Sequence, residues 1–396
     1  MVSSYRRVLA VPGCARVFAT ALVARLPQGM SSLAILLLVH SHTGSYAAAG
    51  SAVGANALAS AAVAPALGRL VDALGRRRVL LPAVALQAIA LVALVAAAAA
   101  RVPVVALITL AAAGGALMPP VAPTVRALMR ELFADPVLRE TAYSLDSVVQ
   151  ELIWMTGPLL VAVVITLASP SGAVLVCAGI WVVGTSLFVA SPAVAGSGRR
   201  DAGSPRSSAL AIPELRGLLG PIALTGAGLG AIEVGLPSLA LHAGSRADAG
   251  LLLALWSVGS LIGGLWYGSR QWRISLEQRY RALLVAAVLC MAPLLVARTI
   301  PEGAICSLLA GVTCAPVFAC QYSLVGRAVA AGSETEAFTW VAAALISGLA
   351  AGSALGGALI GPVGESAPFV LSSAAAALAA LAAFRMVATA AVRQLA

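Results

Sequence analysis

Lysine is absent from this sequence of 396 residues, and Asp and Glu together number only 15. All 25 basic residues are arginine, a bias that together with abundant alanine points to a GC-rich bacterial genome and to no particular chemistry. Charged residues of both signs make up 10% of the chain, whereas soluble domains carry roughly a quarter, so an ordinary soluble protein is excluded. Without lysine there can be no G-x-x-x-x-G-K-[ST] phosphate loop, which removes a pump driven directly by nucleotide. The six cysteines (Cys14, Cys177, Cys290, Cys306, Cys314 and Cys320) show neither a CxxC pair nor Cys/His metal spacing and read as packing thiols. No nucleophile and base set stands out within the apolar runs, so neither an enzyme nor a bound cofactor or metal is expected. Aromatic residues are few, at 5%. Tyr143, Trp154, Trp181, Trp256, Trp266 and Tyr322 could line a path, but interfacial belts explain such residues as well.

What the chain has instead is apolar length. It is 61% hydrophobic, and at about 20 residues per crossing its length holds about a dozen membrane spans. Apolar runs bounded by charge, Gly or Pro fall at 14–39, 45–67, 79–100, 102–125, 141–167 and 172–191, and again at 217–242, 247–268, 279–299, 302–325, 336–361 and 366–390. The Gly-, Ser-, Pro- and Arg-rich stretch between them has linker composition. The expected organisation is a bundle of six helices over 1–191, a cytoplasmic linker over 192–216 and a second bundle of six over 217–396. With both termini cytoplasmic, Arg101, Arg246 and Arg298 fall outside, Arg25 falls within a span, and the other 21 arginines fall inside, as the positive-inside rule requires. The net charge of +10 is thereby explained without a nucleic-acid partner. The N-terminus lacks a cleavage context and reads as a mature cytoplasmic end.

The halves repeat. A shift of 195 to 196 lays Gly115, Pro120 and Glu131 over Gly311, Pro316 and Arg327, then Ala142-Tyr143-Ser144 over Ala337-Phe338-Thr339, and Gly157 over Gly352. Parallel repeats of this kind build many transporter folds.

Between spans two and three the sequence reads Gly68-Arg69-Leu70-Val71-Asp72-Ala73-Leu74-Gly75-Arg76-Arg77-Arg78. This stretch resembles the signature loop of the major facilitator superfamily, and the twelve-span layout around it is similar too. The chain resembles in particular the bacterial, actinobacterial-type drug and metabolite efflux members with twelve helices. The resemblance implies an all-α integral membrane protein of two pseudo-symmetric six-helix bundles. It also implies a gate in which Gly68, Arg69, Asp72, Gly75, Arg76 and Arg77 contact the second half, near Glu334 to Phe338. Glu131 and Glu140 are candidate partners for Arg76 or Arg77. The equivalent place in the second half, Gly263 to Arg270, keeps glycines and an arginine but has no acid, so any latch is asymmetric. Span five contains Gly157-Pro158, similar to the core of the family's antiporter motif, although its flanking glycines are replaced. The arginine that many proton-coupled exporters carry early in span four has no counterpart between Leu107 and Gly115.

Charge at membrane depth is costly, so each ionisable residue inside a span faces a cavity or a partner. Arg25 and Glu151 fall near mid-membrane, Glu233 beyond it, and Asp146 near the inner end of span five. A shift of 208 sets Arg25 and Glu233 at comparable levels. Arg25, with Gln28 nearly one turn on, could anchor an anionic group or pair statically with Glu151. Glu151 and Glu233 are the candidate proton sites, because burial and a nearby arginine act on a carboxyl in opposite directions. Asp146 is expected to pair with Arg126 across spans four and five. The expected function is secondary active transport by alternating access, with a proton-coupled exporter of drug-like or amphipathic molecules as the leading form. An importer or sugar-efflux-like carrier is the alternative, and a non-transporting receptor or membrane enzyme is a third class. The expected partners are the small-molecule substrate, the proton and the lipid bilayer; the expected state is a monomer, multi-pass in the bacterial cytoplasmic membrane.

Overall fold

The computed structural model describes residues 2–196, 208–243, 248–329 and 332–395, with side chains 2, 3, 196 and 385–395 outside that description. Arg246 and the central part of the linker, 197–207, therefore lie outside the described residues. Every regular element among the described residues is helical. After a short helix Val2–Ala10 come twelve helices long and apolar enough to cross a membrane. Spans one to six are Cys14–Thr43, Tyr46–Leu74, Arg76–Ala99, Val104–Leu132, Pro136–Leu167 and Pro170–Val189. Spans seven to twelve are Pro213–His242, Asp248–Ser269, Leu276–Leu295, Ile300–Ala328, Glu334–Val363 and Ala367–Phe384.

Local chemistry sets the boundaries. Ser169 caps span six through the Gly172 N–H, and Ser275 with Gln278 and Thr299 with Glu302 form capping boxes at spans nine and ten. Gly75 links spans two and three at φ +91°, a conformation that glycine adopts without a side-chain clash. Span five starts at Pro136, behind an Asp135 cap on Val137 N, five residues earlier than the apolar run suggests. The helix takes Arg139 and Glu140 into its first turns. Asp146 is consequently well inside the span, not near its end.

The internal repeat is visible in the breaks and close contacts. Span four is interrupted between Ala116 and Val121, and span ten between Gly311 and Cys314. Just before each break a glycine meets the neighbouring helix: a methyl at Gly115 would sit 2.0 Å from the Asn56 carbonyl, and one at Gly311 would sit 2.1 Å from that of Trp256. Gly157 packs on Gly29, and its repeat mate Gly352 on Ala227. These contacts align span one with span seven at a shift of 198, ten residues short of the shift that pairs Arg25 with Glu233. Arg25 is the twelfth residue of span one and Glu233 the twenty-first of span seven, so their levels differ by about 14 Å. The expected equivalence is corrected accordingly.

Twelve spans place both chain ends on one face, with the loops around Gly75, Asp135, Arg273 and Gly332. Arg101 and Arg298 lie on the opposite side, and the arginine-rich face is called the basic face below. One apolar core near that face draws on both halves, including Val71, Val125, Tyr143, Ile222, Phe318, Tyr322 and Phe338. Toward the opposite face, one core belongs wholly to spans one to six and another wholly to spans seven to twelve. The halves are packed together on the basic side and have separate cores beyond it.

Candidate functional site

Three charged side chains meet deep in the first half. Asp146 binds Arg25 through one carboxylate oxygen and, through the other, Arg126 Nε at 2.8 Å. Arg25 and Asp146 are fully buried, and Arg126 is nearly so. Gln150 accepts from Arg25 at 2.6 Å, and the Arg126 guanidinium lies 3.8 Å over the Tyr322 ring of the second half. Two guanidinium groups flanking one carboxylate leave a net positive charge that Gln150 and the ring disperse. Arg25 is thus occupied by Asp146 and Gln150 rather than by Glu151, and Gln28, half-buried, is not among its partners.

Glu151 lies across the boundary between the halves. It is 9% exposed and receives the Cys314 thiol at 3.9 Å, with Ser260 as a second hydrogen-bonding side chain. Glu233 is surface-accessible on span seven and lies within electrostatic reach of Cys314. Neither acid has a cationic partner among the described residues. Spans five, seven, eight and ten therefore bring Glu151, Glu233, Ser260 and Cys314 to one region, just beyond the shared core.

Closer to the basic face the halves are joined by polar contacts. The Asp72 carboxylate accepts from Thr335 N at 3.1 Å and Glu336 N at 2.8 Å. Span eleven has no side-chain cap from its own Ser333, so an acid of the other half caps it. The N-terminal partial positive charge of the helix favours such an anion. Gly68 permits the approach, since a methyl there would strike the Thr339 side chain at 2.5 Å. Arg69 pairs with Glu336 at 2.7 Å, and Ser208 joins them. Arg76 pairs with Glu131 at 2.8 Å within the first half, whereas Arg77 and Arg78 are exposed. Glu140 binds Arg279 and Tyr267 of the second half instead of the signature loop. That contact borders an open cleft of about 370 Å³ lined by Val137, Arg270, Trp272 and Arg327, which is on the basic face and away from the acids.

Gly157 gives span five its closest approach to span one, where a methyl would meet the Gly29 backbone at 2.3 Å; Pro158 follows inside the helix. Sequence reasoning did not single out Gln150, Ser260, Cys314, Arg279 or Tyr5. Polar neutral residues in apolar helices carry no periodic signal, and Arg279 reads as a loop-flanking arginine. Trp154 is exposed, while Tyr143, Trp181, Trp256 and Tyr322 are buried.

The sequence profile of the Major Facilitator Superfamily matches residues 17–300. No curated protein matches by sequence. Among solved structures, a bacterial homologue of the iron transporter ferroportin, in an outward-facing state with soaked iron, is 18% identical with a TM-score of 0.76, covering 94% of this chain and 98% of its own. The human organic anion transporter MFSD10 (TETRAN) is 18% identical with a TM-score of 0.73, over 96% and 99%. The E. coli fucose:proton symporter FucP is 13% identical with a TM-score of 0.72, again over 96% and 99%.

Proposed function

The chain belongs to the Major Facilitator Superfamily, and on that footing we propose that this multi-pass membrane transporter is a proton-coupled exporter of small amphipathic molecules, working as a monomer in the bacterial cytoplasmic membrane with its basic face inside. It is a transporter and not an enzyme. The observation that carries the reading is the division of central charge. Both deep arginines, Arg25 and Arg126, are engaged by Asp146, while Glu151 and Glu233 have no cationic partner among the described residues.

An acid that faces a low-dielectric gap without a counter-ion is served either by a proton or by a cationic ligand. Occupancy by one excludes the other, and exclusion at a shared site is what exchange requires. A lipophilic cation is therefore the favoured cargo, and the anion-anchor reading of Arg25 is weakened by its complete burial. Closure on the basic side supports an alternating-access cycle in which Asp72 and Arg69 hold that side shut. The Gly157-Pro158 pair supports the export direction through its similarity to the antiporter motif.

The test is transport in proteoliposomes of defined orientation, with an imposed pH gradient and ethidium as the cationic probe. Wild type is expected to move ethidium against its gradient toward the proton-rich side, with protons running down their own gradient in the opposite direction. Glu151→Gln and Glu233→Gln are each expected to abolish the accelerating effect of the gradient. Unchanged gradient dependence in both variants removes the proton assignment.

A further inference from the structure

The seam between spans two and eleven has Asp72. By the internal repeat, the seam related to it lies between spans five and eight, where a shift of 196 carries Gly68 onto Gly264 and Asp72 onto Gly268. The acid is missing, yet the position is not vacant. Tyr5, from the helix that precedes span one, reaches into it and donates its hydroxyl to the Gly264 carbonyl at 2.8 Å. Ser144 of span five donates to the same carbonyl at 2.9 Å, and the two hydroxyls are 3.3 Å apart. A methyl at Gly268 would sit 2.3 Å from the Tyr5 oxygen and 2.5 Å from Ser144 Oγ. Glycine at 268 thus clears the space that the phenol fills.

The helix that carries Tyr5 is built for docking. Its nine residues are too few to hold a helix alone in water. Ser4, Tyr5 and Val8 form one buried face, and Arg6 and Arg7 are exposed. Ser4 Oγ also donates to the Ser269 carbonyl of span eight at 3.5 Å. Burial pushes the Tyr5 hydroxyl above its ordinary range, so it remains a donor. Only three residues separate the helix from span one, which ties it to the first half while its hydroxyl is bonded to the second.

We infer that the N-terminal helix is a second gate element of the basic face, with Tyr5 holding spans five and eight together as Asp72 holds spans two and eleven. The inference rests on the alternating-access reading above. Opening the basic face parts span eight from span five and breaks the Tyr5 bond, so Tyr5 biases the conformational equilibrium toward basic-face closure and touches no cargo. It is a positioning residue.

Spin labels at Val137→Cys and Ile274→Cys, in the full chain with its six native cysteines replaced by alanine, read the separation of the halves on the basic face. The measurement is made in proteoliposomes without substrate or gradient. Tyr5→Phe keeps the ring and removes the donor, and is expected to raise the ratio of open to closed distances about fivefold, the factor that one net hydrogen bond carries. Deleting residues 2–10 is expected to raise it further. Because both hydroxyls serve one carbonyl, Tyr5→Phe combined with Ser144→Ala is expected to shift the ratio by less than the product of the single effects. A distance distribution unchanged by Tyr5→Phe and by the deletion overturns the inference, including the case in which only the melting temperature falls. A wild-type protein that shows the expected distances but no pH-driven transport contradicts the proposed function alone.

Discussion

The two halves share a scaffold and differ in charge, and the positions at which they differ are those that matter most. Where the repeat is kept, it is structural: Gly115 and Gly311 touch a neighbouring backbone before matching helix breaks, and Gly157 and Gly352 do the same against spans one and seven. Where it is broken, residues that are repeat mates meet across the pseudo-twofold. Arg126 lies over its mate Tyr322, and Tyr143 packs on its mate Phe338 at 5.9 Å. Asp72 has glycine as its mate, and Asp146 has Val341. The first half thus contributes the two arginines that share Asp146 and the capping acid. The second contributes the helix N-terminus, the aromatic face and Glu233.

The comparison can be broken most forcefully at Asp146. Asp146→Asn leaves Arg25 and Arg126 buried with no counter-ion, and is expected to cost about 3–5 kcal/mol, read as a large fall in melting temperature in detergent. A melt indistinguishable from wild type would mean that the triad is not what holds spans one, four and five together. The symmetric part of the comparison is tested by Gly115→Ala and Gly311→Ala. Each forces a methyl against a carbonyl, and each is expected to cost about 1–3 kcal/mol. Markedly unequal effects would show that the repeat is not energetic as well as geometric.

Asp72→Asn keeps the side-chain shape and removes the charge at the start of span eleven. It is expected to shift the basic-face equilibrium toward opening by about 1–2 kcal/mol, seen as slower transport with the fold intact. Transport kinetics equal to wild type would sink the latch. The smallest effect is expected at Arg327, whose pair with Glu277 spans 3.4 Å between side chains 46% and 39% exposed. Arg327→Gln should change stability by no more than about 0.5 kcal/mol. The same measurement on its repeat mate, Glu131→Gln, should give a larger loss, because Arg76 is buried beside Glu131.

The fold was legible because each span is a long apolar run and the arginines mark alternate loops. The contact between Asp72 and span eleven was legible for a different reason, namely that the loop resembles a family signature. The Arg126–Asp146 pairing could be read from charge at depth, which demands a partner. The depth of Asp146 itself could not, since Arg139 and Glu140 look like loop residues until Asp135 is seen to cap the helix ahead of them. The expected level of Arg25 with Glu233 failed because alanine-rich helices align at several shifts, and only the close contacts of Gly29 and Ala227 select one. Tyr5 was invisible for lack of any pattern. Its place is defined by what the second half lacks at Gly268, and that needs both halves in three dimensions.

The proposed exchange requires Glu151 and Glu233 to hold either a proton or a cation. Proton exit from the lumen of proteoliposomes loaded with a pH-sensitive dye, recorded as a lumenal pH rise while ethidium is taken up, tests that claim most directly. Wild type is expected to move protons out of the lumen in step with ethidium entry, and Glu151→Gln/Glu233→Gln to let ethidium equilibrate with no proton movement. Proton exit per ethidium equal to wild type in the double variant would contradict the account.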